Sequence, residues 1–433
     1  MNNVADVQQH PHDVSLSSFL RRSARVVWLL LFALCTAVLA RPALAGVNQW
    51  TDAGNVGDGF GNGFYGGSVR ALVVDPVTPA TLYVGTIFSS SGGVFKSSNG
   101  GVTWATANTG LTNKFIQALA VDPVTPATLY AGTWGGGVFK SVNGGTSWSA
   151  ANTGLTNLSV FVLAVDPITP TTLYAGTTNG LSSAGTGVYK SSNSGVSWSA
   201  VNTGLTSLDI SALAVDPVTP ATLYAGTPGG VFKSSNGGAS WSTVNTGLTN
   251  LSVIALALDR VTPATLYAGT SGGVFKSVNG GASWSAVTNL WFSTLAVDPV
   301  TPTTLYAGTL TFNGGDVFVS SNGGTSWSNT GLPASPKTSL TLVLDSANPP
   351  TLYAGIDSFG VYAYTFDATA PTPTPTPAPT TTPPPTTGTS TPPSSSSGSG
   401  SSSGGGGMID PALLLLALFG SYALARRRNE GAA

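Results

Sequence analysis

The chain has 433 residues, a formal net charge of −1, 8% charged residues and 55 glycines. Glycine is about twice, and charge about a third, of the share usual in soluble domains, which argues against a helical bundle. With no Lys/Arg block in its middle the chain does not read as a nucleic-acid binder, and abundant Val, Thr, Tyr and Trp among the glycines predict many short strands and tight turns.

Residues 1–45 read as a signal peptide. Arg21, Arg22 and Arg25 make a positive region, Val26 to Ala40 an apolar run, and Ala43-Leu44-Ala45 a small-x-small cleavage site, so the mature chain is expected to start at Gly46. The residues after Arg21-Arg22 do not fit the twin-arginine motif, and the general secretory route is expected. Cys35 follows Leu34, too large for a lipobox, and reads as an apolar residue of the signal. Cleavage removes the only Cys and both His (His10, His12), and the only Glu is Glu430. Residues 46–370 therefore lack a disulfide framework, a His-assisted nucleophile and zinc ligands, and no cofactor or metal is expected.

One phrase then recurs seven times, DP-V/I-TP-A/T-TLYAGT with small variations. Its Asp stands at Asp75, Asp122, Asp166, Asp216, Asp259, Asp298 and Asp345, a period of about 45 residues that suits a four-stranded propeller blade. The second repeat parses as strands Ile116 to Val121, Thr128 to Thr133, Gly137 to Ser141 and Ser147 to Asn152, with Asn143-Gly144-Gly145 as a positive-φ hairpin. Such a meander has two apolar faces and buries them only by stacking radially. The last repeat ends near Phe366 with three strands, and Asn48 to Gly57 matches fourth-strand text. The expected fold is all-β: a seven-bladed β-propeller over 46–370 whose N-terminal strand closes the last blade.

Beyond Ala370 the composition changes. Pro371 to Pro393 alternates Pro and Thr and predicts extended polyproline II reaching roughly 70 Å, and a Ser/Gly tract follows, so 371–407 reads as a disordered linker. Residues 408–433 hold a short apolar run, Pro411 to Ala425, and then Arg426-Arg427-Arg428, a cytoplasmic-side charge cluster. Gly run, short apolar helix and terminal Arg cluster resemble the GlyGly-type C-terminal sorting signals of Gram-negative bacteria. That resemblance implies a tail removed by an intramembrane protease and a product at the cell surface or outside; a plain membrane anchor is the other reading.

The turn before each fourth strand reads SSNGGVTW, SVNGGTSW, SSNSGVSW, SSNGGASW, SVNGGASW and SSNGGTSW. It resembles the Asp-box, S-x-D-x-G-x-x-W, or BNR repeat, found in sialidases, xyloglucan-active glycoside hydrolases, sortilin-type receptors and the photosystem II assembly factor family. The resemblance covers residues 46–367 and implies a propeller. The Asp of the motif is Asn here in every copy: Asn99, Asn143, Asn193, Asn236, Asn279 and Asn322, followed by Trp104, Trp148, Trp198, Trp241, Trp284 and Trp327. These pairs read as structural parts of the hairpin. The sialidase branch uses three Arg, a Tyr nucleophile and a Glu; residues 46–370 hold only Arg70 and Arg260 and no Glu, so that activity is set aside.

Glycoside hydrolysis needs two carboxyls across the bond. The seven repeated Asp read as turn residues, which leaves Asp52, Asp58, Asp209, Asp316, Asp357 and Asp367, with Asp316 and Asp357 the pair to watch. The repeated Lys (Lys96, Lys140, Lys190, Lys233, Lys276) reads as a solvated outer position. In a propeller the 2–3 loops and blade-to-blade loops share one face, and here only that face varies in length and content. It is the expected binding surface, with Phe88, Phe115, Trp134, Phe161, Asp209, Trp291, Phe312, Asp316, Asp357 and Phe359 as candidate ligand contacts. The expected function is a non-enzymatic, surface-displayed monomeric propeller that binds carbohydrate or protein and meets the membrane only through its tail. An Asp-box glycoside hydrolase and a periplasmic assembly factor are the alternatives.

Overall fold

The computed structural model describes residues 49–53, 68–87, 92–178, 185–309, 315–333, 340–347, 350–356 and 360–366. The expected leader, linker and tail lie outside the described residues, as do Phe88, Phe312, Asp357 and Phe359.

Among the described residues, 28 strands form seven antiparallel sheets of four strands each. Blade 2 is typical: Ile116–Val121 is innermost, then Leu129–Thr133 and Gly137–Ser141, with Ser149–Ala150 outermost. The inner strands touch one another in chain order around the ring, and Leu340–Leu344 of blade 7 returns to Ser68–Val74 of blade 1. Blade 7 takes its outer strand from the start of the chain. Trp50–Asp52 pairs antiparallel with Gly360–Thr365, Trp50 opposite Tyr364. The fold is therefore a seven-bladed β-propeller closed by its N-terminal strand.

The second strand explains why the repeat stacks. Leu-Tyr-Ala-Gly-Thr is buried along its whole length, flanked by strands on both edges and by neighbouring blades on both faces. Its glycine is a contact point. A Cβ at Gly132 would lie 2.8 Å from Val160 Cγ1 of the next blade, and at Gly226 2.7 Å from Val253 Cγ1. The same approach crosses the seam of the ring, Gly355 meeting Val69 at 2.4 Å. Interiors are close-packed, so this small residue sets the spacing between blades.

Lysine and tyrosine tie one blade to the next. Each Lys of the third strand lies across from the Tyr of the second, its Nζ 5.3–5.5 Å from the ring centroid. Lys140 Nζ and Tyr130 Oη both donate to the Ser194 carbonyl of blade 3, at 2.9 and 3.3 Å. Lys96 with Tyr83, Lys190 with Tyr174 and Lys233 with Tyr224 do the same to Gly144, Gly237 and Gly280. The lysine position is thus not a solvated outer one. Its stem runs along the tyrosine ring of its own blade, and its charge serves that π-face and a carbonyl of the adjoining blade.

The outer strand is shorter than its sequence predicts, two residues in blade 2 where Ser147 to Asn152 was expected. The reason is competition for backbone groups. Ser147 N bonds to Asn143 Oδ1, and Trp148 N bonds to Thr109 O, so neither joins the ladder.

Candidate ligand-binding face

Alternating strand directions put the 1–2 turns and the box hairpins on one face, and the 2–3 loops and blade-to-blade segments on the other. On the first face the repeated polar groups are used within the fold. Asp122 Oδ1 accepts from Val124 N and Thr125 N at 2.9 Å, and its counterparts in the other blades are likewise buried in their own turns. In the box, Asn143 Oδ1 accepts from Ser141 Oγ and Ser147 N, both at 2.9 Å, while Nδ2 donates to Ser147 Oγ at 2.8 Å. Gly144 and Gly145 have φ of 65° and 82°, as the hairpin needs. Trp148 Nε1 donates to Ala107 O of the preceding blade at 2.8 Å. Trp104, Trp198, Trp241 and Trp284 make the same bond, Trp104 to Ala53 O of the closing strand. Trp327 departs from the pattern. Its Nε1 turns back to Gly324 O of its own hairpin, and its ring packs on Phe292 at 4.9 Å.

The variable face stands on a repeated base that the sequence reading missed. Asn152 Oδ1 accepts from Val138 N at 2.7 Å and Nδ2 donates to Gly136 O at 2.9 Å, holding the blade 2 loop where it enters the third strand. Asn108, Asn202 and Asn245 do this in blades 1, 3 and 4. The signal was present: an Asn-Thr-Gly-Leu phrase follows the box Trp at a fixed offset.

On this base the structure brings three of the candidate aromatics together. Trp134 and Phe161 lie with ring centroids 6.1 Å apart at 56°, both half-buried, where blade 2 meets blade 3. Trp134 is held by its backbone: its N donates to Phe115 O and its carbonyl accepts from Asn113 Nδ2, each at 2.9 Å. Asn113 Oδ1 also accepts from Phe115 N, which fixes the half-buried Phe115 beside it. Phe161 belongs to the inner strand Val160–Val165 and not to the connecting loop, as the extra residue of a bulge between Val160 and Val162. Arg70, Gln117 and Ile254 hold the same bulge position in blades 1, 2 and 5. Bulges re-aim side chains at a sheet's end, and these fall at the variable-face end of the inner strands.

The remaining candidates do other work. Asp209 Oδ1 accepts from Gly185 N at 2.7 Å and Thr178 Oγ1 at 3.0 Å, which pins the long blade 3 loop. Asp316 Oδ2 accepts from Asn329 Nδ2 at 2.9 Å within blade 6. These bonds tie Asp209 to the neighbouring 2–3 loop and Asp316 to the outer strand of its blade. Trp291 lies between blades 5 and 6, and its Nε1 is buried with no acceptor among the described residues. Buried donors are almost always paired, so this N–H stands out.

The chain matches no family model and no curated protein. Solved structures with the same architecture do match. The GH74 xyloglucanase of Xanthomonas campestris aligns at TM-score 0.58 and 19% identity, over 74% of this chain and 54% of that one. A GH74 enzyme of Niastella koreensis aligns at 0.55 and 21%, over 69% and 52%. This chain thus spans about half the length of these hydrolases. YCF48 bound to D1 peptide aligns at 0.53 and 14%, over 70% of this chain and 94% of that one. At these identities the likeness establishes the β-propeller fold, which hosts hydrolysis in some proteins and peptide binding in others.

Proposed function

We propose that the protein is an exported, surface-displayed binding propeller that takes a carbohydrate or protein ligand on its variable face without turning it over. The observation that carries this reading is the tilted Trp134–Phe161 pair, half-exposed on a pinned backbone among loops that differ from blade to blade. Fixed aromatic rings offer large contact area at small entropic cost, whether to a sugar ring or to a protein side chain. Topology supports the display half. Gly360–Thr365 ends beside the start of Thr351–Ile356, at the repeated face, so the described chain ends on the side opposite the variable face. The leader, the linker 371–407 and the GlyGly-type tail 408–433 then give export, stalk and sorting to the Gram-negative surface or beyond it.

A hydrolase of the xyloglucanase kind is the main alternative. The internal bonds of Asp209 and Asp316 favour binding over it, since each carboxylate already holds a neighbouring segment of the fold. Glycan and peptide arrays probed with the exported chain, followed by product analysis on any hit, separate the two. We expect retention without product, and at least a tenfold loss of affinity for Trp134→Ala, about 1.4 kcal/mol. Released sugar would end the binding-only reading.

A further inference from the structure

We propose that the repeated face is a self-association surface, across which two copies of this chain stack face to face about a two-fold axis. Ten of the thirteen exposed large hydrophobic residues among the described ones lie on this face, not on the variable one. Six form a ring at the tips of the 1–2 turns: Val77, Val124, Ile168, Val218, Val261 and Val300, each 53–67% exposed. The box hairpins of blades 1, 2, 3 and 5 add one exposed valine each, outside that ring. None of these side chains is needed by its turn. The turn is held by Asp carboxylate to backbone N–H bonds, which any residue in the valine's place would make.

The occupant follows from size, charge and gap. At roughly 60 Å² of apolar surface still open on each, ten residues offer about 600 Å², before the flanking prolines are counted. That approaches the ~800 Å² per partner of a standard stable interface. Charge does not oppose a copy meeting itself. The turn carboxylates are buried in their own hydrogen bonds, the lysines are drawn onto a tyrosine ring of their own blade and a carbonyl of the next, and the exposed Arg260 beside Val261 is a single cation at one turn of the ring. A lipid surface would call for a basic or Trp-rich fringe. On this face the box tryptophans are instead tucked between blades, four of them 5% exposed. The ring is interrupted only at blade 7, which carries Ser346-Ala347 where the others carry Val or Ile. That is also the blade in which the described chain both begins, at Gln49, and ends, at Phe366, so the gap in the apolar ring falls where the propeller's two ends lie. Both variable faces stay free, and the pair is bivalent.

Cysteine cross-linking on the full chain tests this. Cys35, in the predicted leader, is the only native cysteine. With Cys35→Ala as background, single Val77→Cys, Val124→Cys, Val218→Cys and Val261→Cys variants are exported and treated with a short thiol cross-linker. We expect a doubled-mass band from these positions, and none from Thr112→Cys or Thr206→Cys on the variable face. Adding Val142→Lys with Val300→Lys, both at exposed sites, should weaken the band about tenfold while leaving the melting temperature unchanged. Equal bands from both faces, or no band from any repeated-face cysteine, overturn the proposal. If those cysteines resist a water-soluble maleimide yet give no doubled band, the occupant is a lipid surface or another protein, and the proposal fails equally.

Discussion

The amide at the box position has a physical reason in the residue four places on. Asn143 Nδ2 donates to Ser147 Oγ, and the same bond runs from Asn193, Asn236, Asn279 and Asn322 to a serine, and from Asn99 to Thr103. A carboxylate has no proton to give, but the serine hydroxyl can rotate and donate to it instead. Asn143→Asp should therefore lie within about 0.5 kcal/mol of the parent, while Asn143→Ala, which leaves the Ser147 amide without its acceptor, should cost about 1–2 kcal/mol in chemical denaturation. A second test is offered by the one hairpin that breaks the glycine rule. Ser194 has φ of 58°, where the other boxes place Gly. A side chain in the left-handed region is strained by roughly 1 kcal/mol, and the useful group here is the backbone carbonyl that Lys140 and Tyr130 share. Ser194→Gly keeps that carbonyl and should raise the melting temperature. Gly237→Ser, the reverse change one blade on, should lower it.

At the scale of the element, what was legible in the sequence is what depends on near neighbours. The apolar run and the Asn-Gly-Gly turn located Ile116–Val121 and Gly137–Ser141 to the residue. The outer strand came out too long because Trp148 N is taken by Thr109 O of another blade, a partner that no local pattern announces. The lysine clamp was misread for the same reason: its acceptor Ser194 lies 54 residues away. Of the candidate site, loop variation singled out the face on which Trp134 and Phe161 meet, but not the pinning of Trp134 by Asn113 or the bulge that carries Phe161. The clamp also has a pH signature. Burial first, and a nearby turn carboxylate second, hold the phenols of Tyr174, Tyr224 and Tyr267 at about 12, against 10.0 ordinarily. Burial does the same to Tyr130, partly offset by its bond to Ser194. The folded state then holds protons that the unfolded chain releases first, so stability is full below pH 10 and falls between pH 10 and about 12. Chemical denaturation at stepped alkaline pH, read beside tyrosinate absorbance, should show ionisation arriving together with unfolding. Free ionisation of these phenols near pH 10 in a folded chain would contradict the clamp.

For the whole molecule, the weak point of a ring is where it is joined. Stability in a repeat array is a sum of blade terms and interface terms, and six of the seven blades here are built from one continuous stretch of chain. Blade 7 depends on three residues from the other end. Within Trp50–Asp52 and the residue after it, Trp50 Nε1 donates to Thr330 Oγ1 of blade 6 at 3.0 Å. The Trp50 ring packs on Tyr364 of blade 7 at 5.1 Å, and Ala53 O accepts from Trp104 Nε1 of blade 1 at 2.9 Å. So short a strand joins three blades, and most of its burial is the single Trp50 side chain. Trp50→Ala should cost about 2–3 kcal/mol, as large aromatic truncations at partly buried sites do. The loss should be local before it is global, because cooperative units open separately when their joining contacts are weak. Hydrogen exchange should quicken first at Gly360–Thr365 and at Val94–Ser97, whose hairpin packs against Ala53, and leave the second strand of blade 4, Leu223–Thr227, at its parental rate. A uniform acceleration around the ring would mean that the seam is no weaker than any other interface, and that closure by the N-terminal strand is a topological feature without its own energetic share.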